Sequence, residues 1–242
     1  MAIGLRERAR RELVEEIIET ARSQLATQGA ADLSVRAVTR QLGMSASAVY
    51  RYFPNRDALL TALIVSAYQR LGDAARDAEA RVDSADYAGR WLAVFRAVRS
   101  WALAHRHEYA LIYGSPVPGY HAPEDTVVPA SGVALRLAAI AIDADRAVGL
   151  APQAPLPLSE DLRRDAAERA AQALAALGTE RAGGLDEIDP SAVIAVIDGW
   201  TQLFGTVSFE LFGHYERTVE AREDYLDHVA TTSGRTVGIP GL

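Results

Sequence analysis

A chain of 242 residues with 49% hydrophobic side chains has apolar material for one large domain, or for a small one joined to a larger one. The absence of cysteine excludes a disulfide framework, a thiolate zinc site and a cysteine nucleophile. A net charge of −7 excludes a coat of positive charge, yet residues 1–56 hold nine arginines against six acids, a balance of +3, and the remainder sixteen against twenty-six, a balance of −10.

That asymmetry points to an N-terminal part that meets an anion and a body that does not. Lysine is absent, which beside so many alanines reflects base composition and not chemistry. The N-terminus, MAIGLRERARRELVEEI, is charged and has no apolar signal region. No stretch approaches the roughly 20 uninterrupted apolar residues of a bilayer span. The expectation is a cytoplasmic protein with no membrane partner.

Helical periodicity dominates the chain. Leu13, Ile17, Ala21 and Leu25 form one stripe, and Gly29 is placed to stop that helix. Ser34 can cap a short helix from Val35 to about Leu42, which Gly43 ends. Ser45 caps a third short helix to about Phe53, Pro54 breaks it, and Asn55 caps the next. Leu59, Leu60, Leu63, Ile64, Ala67, Tyr68 and Leu71 stripe that long helix to about Arg81. After RVDSAD, one long helix carries Trp91, Phe95, Val98, Trp101 and His105 on one face. Residues 114–132 hold four of the ten prolines and read as an ordered loop or broken helix. Helices follow over about 133–148 and 160–177, with a Pro-rich linker between them. GTERAGGLDEIDP is loop, and Pro190 opens a strongly apolar helix to about Tyr215. A last helix spans about 220–231, with a frayed tail. No alternating pattern marks a strand, so the fold class is all-α.

Two short helices joined by Gly43-Met44-Ser45 under a longer one make a helix-turn-helix. Val49 and Phe53, four apart, point inward; Ala46, Ser47, Tyr50, Arg51 and Tyr52 do not. The second helix of such a motif lies in the DNA major groove. Small side chains at Ala46, Ser47 and Ala48 let the backbone approach, and alanine methyls can meet thymine methyls. Tyr50 and Tyr52 suit phosphate hydrogen bonds, since a core residue has no need of the hydroxyl. Arg36, Arg51 and Arg56 add charge, with Ser34 and Ser45 at the two helix starts. Free N–H groups at the start of the helix after Asn55 can also take a phosphate.

The stretch LSVRAVTRQLGMSASAVYRYFPNRDALL resembles the N-terminal domain of the TetR/AcrR family of transcriptional regulators. The family pattern sets a Tyr-x-(His or Tyr)-Phe run after the helix-turn-helix, then a two-residue break, a basic residue and a leucine pair. Here these are Tyr50, Tyr52, Phe53, Pro54-Asn55, Arg56 and Leu59-Leu60. Val49 replaces the usual leucine or isoleucine, and Arg56 the commoner lysine. The likeness covers roughly residues 8–60. More weakly, WALAHRHEYALIYGSPVPGY and DGWTQLFGTVSFELFGHY resemble a WHG-type C-terminal regulatory domain. The resemblance implies a homodimer that represses from a double-stranded DNA operator until an unknown small-molecule effector binds its C-terminal domain. The implied division is 1–56 for a three-helix DNA-binding domain and 57–242 for a helical regulatory, ligand-binding and dimerisation domain.

The helix from Ala192 to Tyr215 is apolar nearly all round, which means burial on two sides. Trp200, Leu203, Phe204, Val207 and Leu211 form a large-residue face for the core. Ala192, Ala195, Gly199, Thr206 and Gly213 form a small-residue face, read as the dimer seam or as packing within the same chain. Two recognition helices roughly 34 Å apart would read a palindrome. Trp91, Phe95, Trp101, Tyr109, Tyr113, Trp200 and Phe204 are candidates for an effector pocket, each of which is otherwise plain core. The loop at 114–132 either covers that pocket or traces its outside. His105, His107 and His121 lack a convincing ligand set, so neither metal nor cofactor is expected. No catalytic motif is present, and the expectation is not an enzyme. Asp198 and Glu210, in the most apolar helix, need partners, bind ligand or face solvent. The alternative is an all-α small-molecule binding or enzymatic dimer whose helix-turn-helix is unused.

Overall fold

The protein is described by a computed structural model over residues 4–150, 152, 157–178 and 189–242. It is all-α, and no strand occurs among the described residues.

The N-terminal helices start and stop at the residues whose chemistry directs it. Helix α1 runs Leu5–Gln28 and ends on Gly29, whose φ of 80° is open to a residue without a Cβ. α2 is Val35–Gln41 and α3 is Ala46–Tyr50. Gly43 turns between them at φ +63°. α4 runs Arg56–Glu79, and Asn55 Oδ1 accepts the Ala58 N–H at 2.8 Å, the cap its position requires. Ser34 and Ser45 occupy cap positions without side-chain capping bonds. The Ser45 hydroxyl lies 3.2 Å from that of Ser47 instead.

α5 is Tyr87–Ala104 and α6 is Arg106–Tyr113. Sequence periodicity carried one helix through His105, but His105 leaves the helical region (φ −128°, ψ 49°) and starts a second helix. The segment from 114 contains a 3₁₀ turn, Glu124–Thr126, and a single-turn α7, Val127–Ala130. α8 is Gly132–Val148 and α9 is Glu160–Leu177, capped by Ser159 Oγ on the Leu162 N–H. α10 is Pro190–Leu211, with Pro190 in its first turn and Asp189 capping Ser191. α11 is Arg222–Val237. The expected linker at 149–159 and loop at 178–190 lie largely outside the described residues.

The expected frayed tail is packed instead. α11 runs six residues past Thr231, Val237 and Ile239 are buried, and the Leu242 side chain fills the space beside Gly234. Apolar residues spaced through the terminal turns hold it down.

Contacts gather the chain into two compact units: residues 1–70 with 105–130, and residues 71–104 with 131–242. In the first, Ile17, Ala21, Val35, Val38, Val49, Phe53, Leu59, Leu60 and Leu63 form a core. Leu111, Ile112, Val117 and Tyr120 pack on it. Tyr120 and Thr61 hydroxyls meet at 2.9 Å, and the Tyr68 hydroxyl donates to the Ile112 carbonyl. α6 and the chain after it therefore join the N-terminal helices, across a long sequence gap.

In the second unit, α10 packs on α5, α8, α9 and α11. α4 and α8 approach through Gly72 and Gly132, where a Cβ would sit within 4 Å of the opposite Cα. Trp91 is fully buried and donates its indole N–H to the Ala230 carbonyl at 3.0 Å. A buried charge cluster joins α4, α5 and α8. Arg90 donates to Glu79 at 2.7 and 3.0 Å and to Asp143 at 2.7 Å, and Arg136 reaches the other Glu79 oxygen at 3.0 Å. α10 is also long and apolar enough to cross a membrane by length and composition alone. Nearly half of that stretch is buried in the unit, as in the core helix of a water-exposed protein.

Candidate nucleic-acid interface and regulatory core

The α2–turn–α3 element is seated by few residues. Val35 and Val38 anchor α2, Val49 and Phe53 anchor α3, and all four are buried. What remains on the outside is polar and cationic. Arg36 and Arg40, one turn apart on α2, are exposed, as are Ser45, Ser47 and Arg51. Tyr50 is 37% exposed, while Ser34 and Ala48 are half-buried. Ala46 opens α3. Among the described residues Arg36, Arg40 and Arg51 form no ion pair. A guanidinium left without a carboxylate, in a protein with excess acid, is available to an external anion.

Tyr52 and Arg56 differ from this exposed set. Tyr52 is half-buried and packs on the unit's core, so its ring takes part in seating α3. Arg56 donates from Nη2 to the Ala30 and Ala31 carbonyls at 2.8 and 3.2 Å, which pins the start of α4 to the loop after α1. Asn55 already uses one of the N–H groups expected to be free for phosphate there.

Sequence reasoning missed a charge cluster elsewhere in the same unit. Glu108 of α6 is buried and paired with Arg22 of α1 and Arg70 of α4. Its one signal was an acid at the head of the apolar run YALIY.

The seven candidate pocket aromatics are divided between the two units. Tyr109 and Tyr113 lie in the first unit, ring centroids 5.1 Å apart, with Tyr68 edge-on to Tyr113 at 5.9 Å. Burial pushes the Tyr113 hydroxyl far above its ordinary pKa, and the neighbouring Tyr68 adds to the shift. Trp91, Phe95, Trp101, Trp200 and Phe204 lie in the second unit. Trp91 and Phe95 are wholly buried, and Trp101 and Phe204 nearly so. Trp200 is half-buried, and its indole nitrogen has no hydrogen-bond partner among the described residues. Two open concavities occur elsewhere. One of about 640 Å³ lies beside Arg99 and residues 220–224. The other, of about 370 Å³, lies between α1 and α2.

The small-residue face of α10 is taken up within the chain. Ala192, Ala195, Gly199 and Thr206 are buried in the unit. A Cβ on Gly199 would meet Trp91 at 3.0 Å and Ser233 at 3.5 Å. These small residues admit the chain's own α5 and α11, the same-chain reading of that face. Gly213 lies beyond the helix end, exposed, at φ +81°. The face that α10 leaves outward carries Ile197 at 37% exposure, Thr201, Gly205 and Phe209 at 51%, with Phe212 at 44% just past the helix. Glu210 is buried and held bidentately by Arg99, with both bonds at 2.7 Å. Asp198 is exposed.

Comparison with known proteins supplies the family. Residues 17–63 match the family described as bacterial regulatory proteins, tetR family, and residues 91–232 match the tetracyclin repressor-like C-terminal domain. The HTH-type transcriptional regulator Rv1816 of Mycobacterium tuberculosis is 38% identical over 221 residues, spanning 88% of this chain and 86% of the relative. The regulator Mb1846 of Mycobacterium bovis is similar to the same degree. Among solved structures, a regulatory protein, SCO4313, is 31% identical, with a TM-score of 0.71 over 95% of this chain and 98% of that one. A protein of unknown function from Rhodococcus sp. RHA1 is 23% identical with a TM-score of 0.62, over 92% of each chain, and shares the fold.

Proposed function

The chain belongs to the TetR family of DNA-binding transcriptional regulators, a class without enzymatic activity, and we propose that it is a repressor that grips a palindromic operator as a homodimer and is released by a small-molecule effector. The observation that carries the reading is the outer face of α2–α3, where Arg36, Arg40 and Arg51 stand exposed beside Tyr50, with no ion pair to another described residue. Small residues at Ala46, Ser47 and Ala48 leave the α3 backbone free to approach base edges, while the arginines and Tyr50 take phosphates. Ser34 and Ser45 sit at helix starts with side chains not committed to capping, and add neutral phosphate donors. Arg56 and Tyr52 serve the same face by fixing the elements that carry it.

The dimer seam is assigned to the outward face of α10. Ile197, Thr201, Gly205 and Phe209 recur every four residues, and among the described residues nothing beyond its own stretch of helix lies within 4 Å of a Cβ built on Gly205. Large apolar side chains exposed in register on one helix face are the mark of an interface. The effector reading is supported by the C-terminal match and by Trp200, whose buried indole N–H is left for a ligand acceptor. Action on chromosomal DNA places the protein in the cytoplasm. The domain division at residue 56 is kept as one of roles: α1–α3 read DNA, and the chain from 57 supplies ligand binding and dimerisation.

Selection of bound sequences from random DNA tests the reading. A two-fold symmetric consensus with half-sites roughly 34 Å apart is expected. Recovery of no consensus would reject it in favour of a ligand-binding dimer that does not read DNA.

A further inference from the structure

We propose that Glu108 is a positioning residue for DNA recognition: its carboxylate on α6 ties α1 to α4 and so sets the floor on which α3 rides. The proposal rests on the DNA-binding reading above. Glu108 is only 5% exposed, and a buried carboxylate needs charge partners. It has two, from two different helices. Arg22 of α1 donates from Nε to Oε2 at 3.0 Å. Arg70 of α4 donates from Nη1 to both oxygens, at 2.8 and 3.0 Å. Arg22 also reaches α4 directly, from Nη2 to Ser66 Oγ at 3.0 Å. Three helices thus share one set of charge-assisted hydrogen bonds, which are short and directional.

These are the helices on which the reading element sits. Ile17 and Ala21 of α1, with Leu59, Leu60 and Leu63 of α4, share a core with Val49 and Phe53. A second tie stands further along, where Arg56 of α4 holds the Ala30 and Ala31 carbonyls after α1. Arg56 and Arg70 are separated by about 21 Å of α4 at the helical rise per residue. Two ties that far apart fix the angle between α1 and α4 as well as their distance. α3 has five residues, too few to be a stable helix by itself, so its orientation is inherited from that floor.

Removing the Glu108 charge takes this carboxylate from Arg70 and leaves Arg22 with Glu19 of its own helix, so the charge-assisted tie of α6 to α1 and α4 is lost. One end of the α1–α4 pair then loosens while the Arg56 end stays tied, and α3 tilts. None of Glu108, Arg22 or Arg70 belongs to the DNA-facing set. Glu108 lies outside residues 17–63 and sits on a helix that follows α5 after one residue, His105, whose Nε2 is 2.9 Å from Arg70 Nη2. A displacement of α6 is therefore delivered to both helices beneath the reading element.

The test compares full-length Glu108→Gln with Glu79→Gln, which breaks a buried cluster of the same kind in the second unit. Each is titrated against the DNA selected by the wild-type protein, at a temperature where each is folded. Glu108→Gln is expected to weaken binding about tenfold with an unchanged salt slope, since every group that neutralises a phosphate is kept. Glu79→Gln is expected to bind like wild type. Equal affinities for the two variants would overturn the proposal, as would a shallower salt slope for Glu108→Gln. Should Glu108→Gln not fold, Arg70→Gln takes its place, because Glu108 then keeps Arg22. If the wild-type protein selects no sequence, the functional reading fails, and the tie is judged by amide hydrogen exchange. Faster exchange over 35–53 in Glu108→Gln than in Glu79→Gln supports it, and equal exchange overturns it.

Discussion

Arg36, Arg40 and Arg51 of the first unit stand at the surface without an ion-pair partner among the described residues, whereas Arg90, Arg96, Arg99 and Arg136 of the second each hold a carboxylate. The side chain is the same and the surroundings are not. These four guanidinium groups of the second unit join helices, and their charge is cancelled internally. On α2–α3 the charge is left over, in a chain whose net charge is −7. A sum over the whole protein hides a basic face; the pairing of each arginine reveals it. Arg22, Arg56 and Arg70 mix the two uses, since they lie in the first unit but are held by its own carboxylate or carbonyl groups.

The comparison is broken most forcefully at Glu79. Glu79→Ala leaves the buried Arg90 with Asp143 and takes from the half-buried Arg136 its carboxylate, and should remove about 3–5 kcal/mol of stability. Denaturant unfolding checks this; a loss no larger than that of a surface substitution would mean the cluster does not hold the unit. Phe209→Asp comes next, with an expected loss of about 2–4 kcal/mol of dimer affinity. Sedimentation should show a monomer at concentrations where the parent is a dimer, and a persisting dimer would move the seam off α10. Arg56→Ala and Tyr50→Phe then separate the two uses of polar groups in the first unit. Arg56→Ala should lower both folding stability and operator affinity, each by about 1 kcal/mol, because its hydrogen bonds are internal. Tyr50→Phe should lower operator affinity alone.

The smallest effect concerns the exposed pair Arg96–Asp227. The hydrogen bond from Arg96 holds the Asp227 carboxyl below its ordinary pKa. A depressed carboxylate contributes stability above its unfolded pKa and loses it as pH falls through the folded value. Asp227→Asn should thus cost about 0.2–1 kcal/mol near neutrality and nothing in strong acid. A loss that persists in acid would show that packing, not charge, matters there.

Much of the reading element was legible in the sequence, because local chemistry decides it. Gly29 and Gly43 need positive φ, Asn55 caps, and the four-residue spacing of Val49 and Phe53 seats α3. The break at His105 was not legible, since no proline or glycine marks it, and its consequence is the transfer of α6 to the first unit. The inward face of α10 was not legible either. A helix apolar all round does not declare which side meets its own chain, and Gly199 meets Trp91. The tail ran the same way: GRTVGIPGL reads as turn residues, while the burial of Val237 and Ile239 depends on helices far off in sequence.

The most direct test of the central claim is the salt dependence of operator binding by the wild-type protein and by the Arg36→Ala, Arg51→Ala double variant, followed by fluorescence anisotropy. If those arginines face phosphates, the slope of log affinity against log salt should become shallower by about 1.8, roughly 0.9 for each phosphate no longer neutralised, with the melting temperature unchanged. An identical slope in the two proteins would contradict the assignment of α2–α3 as the face that meets DNA.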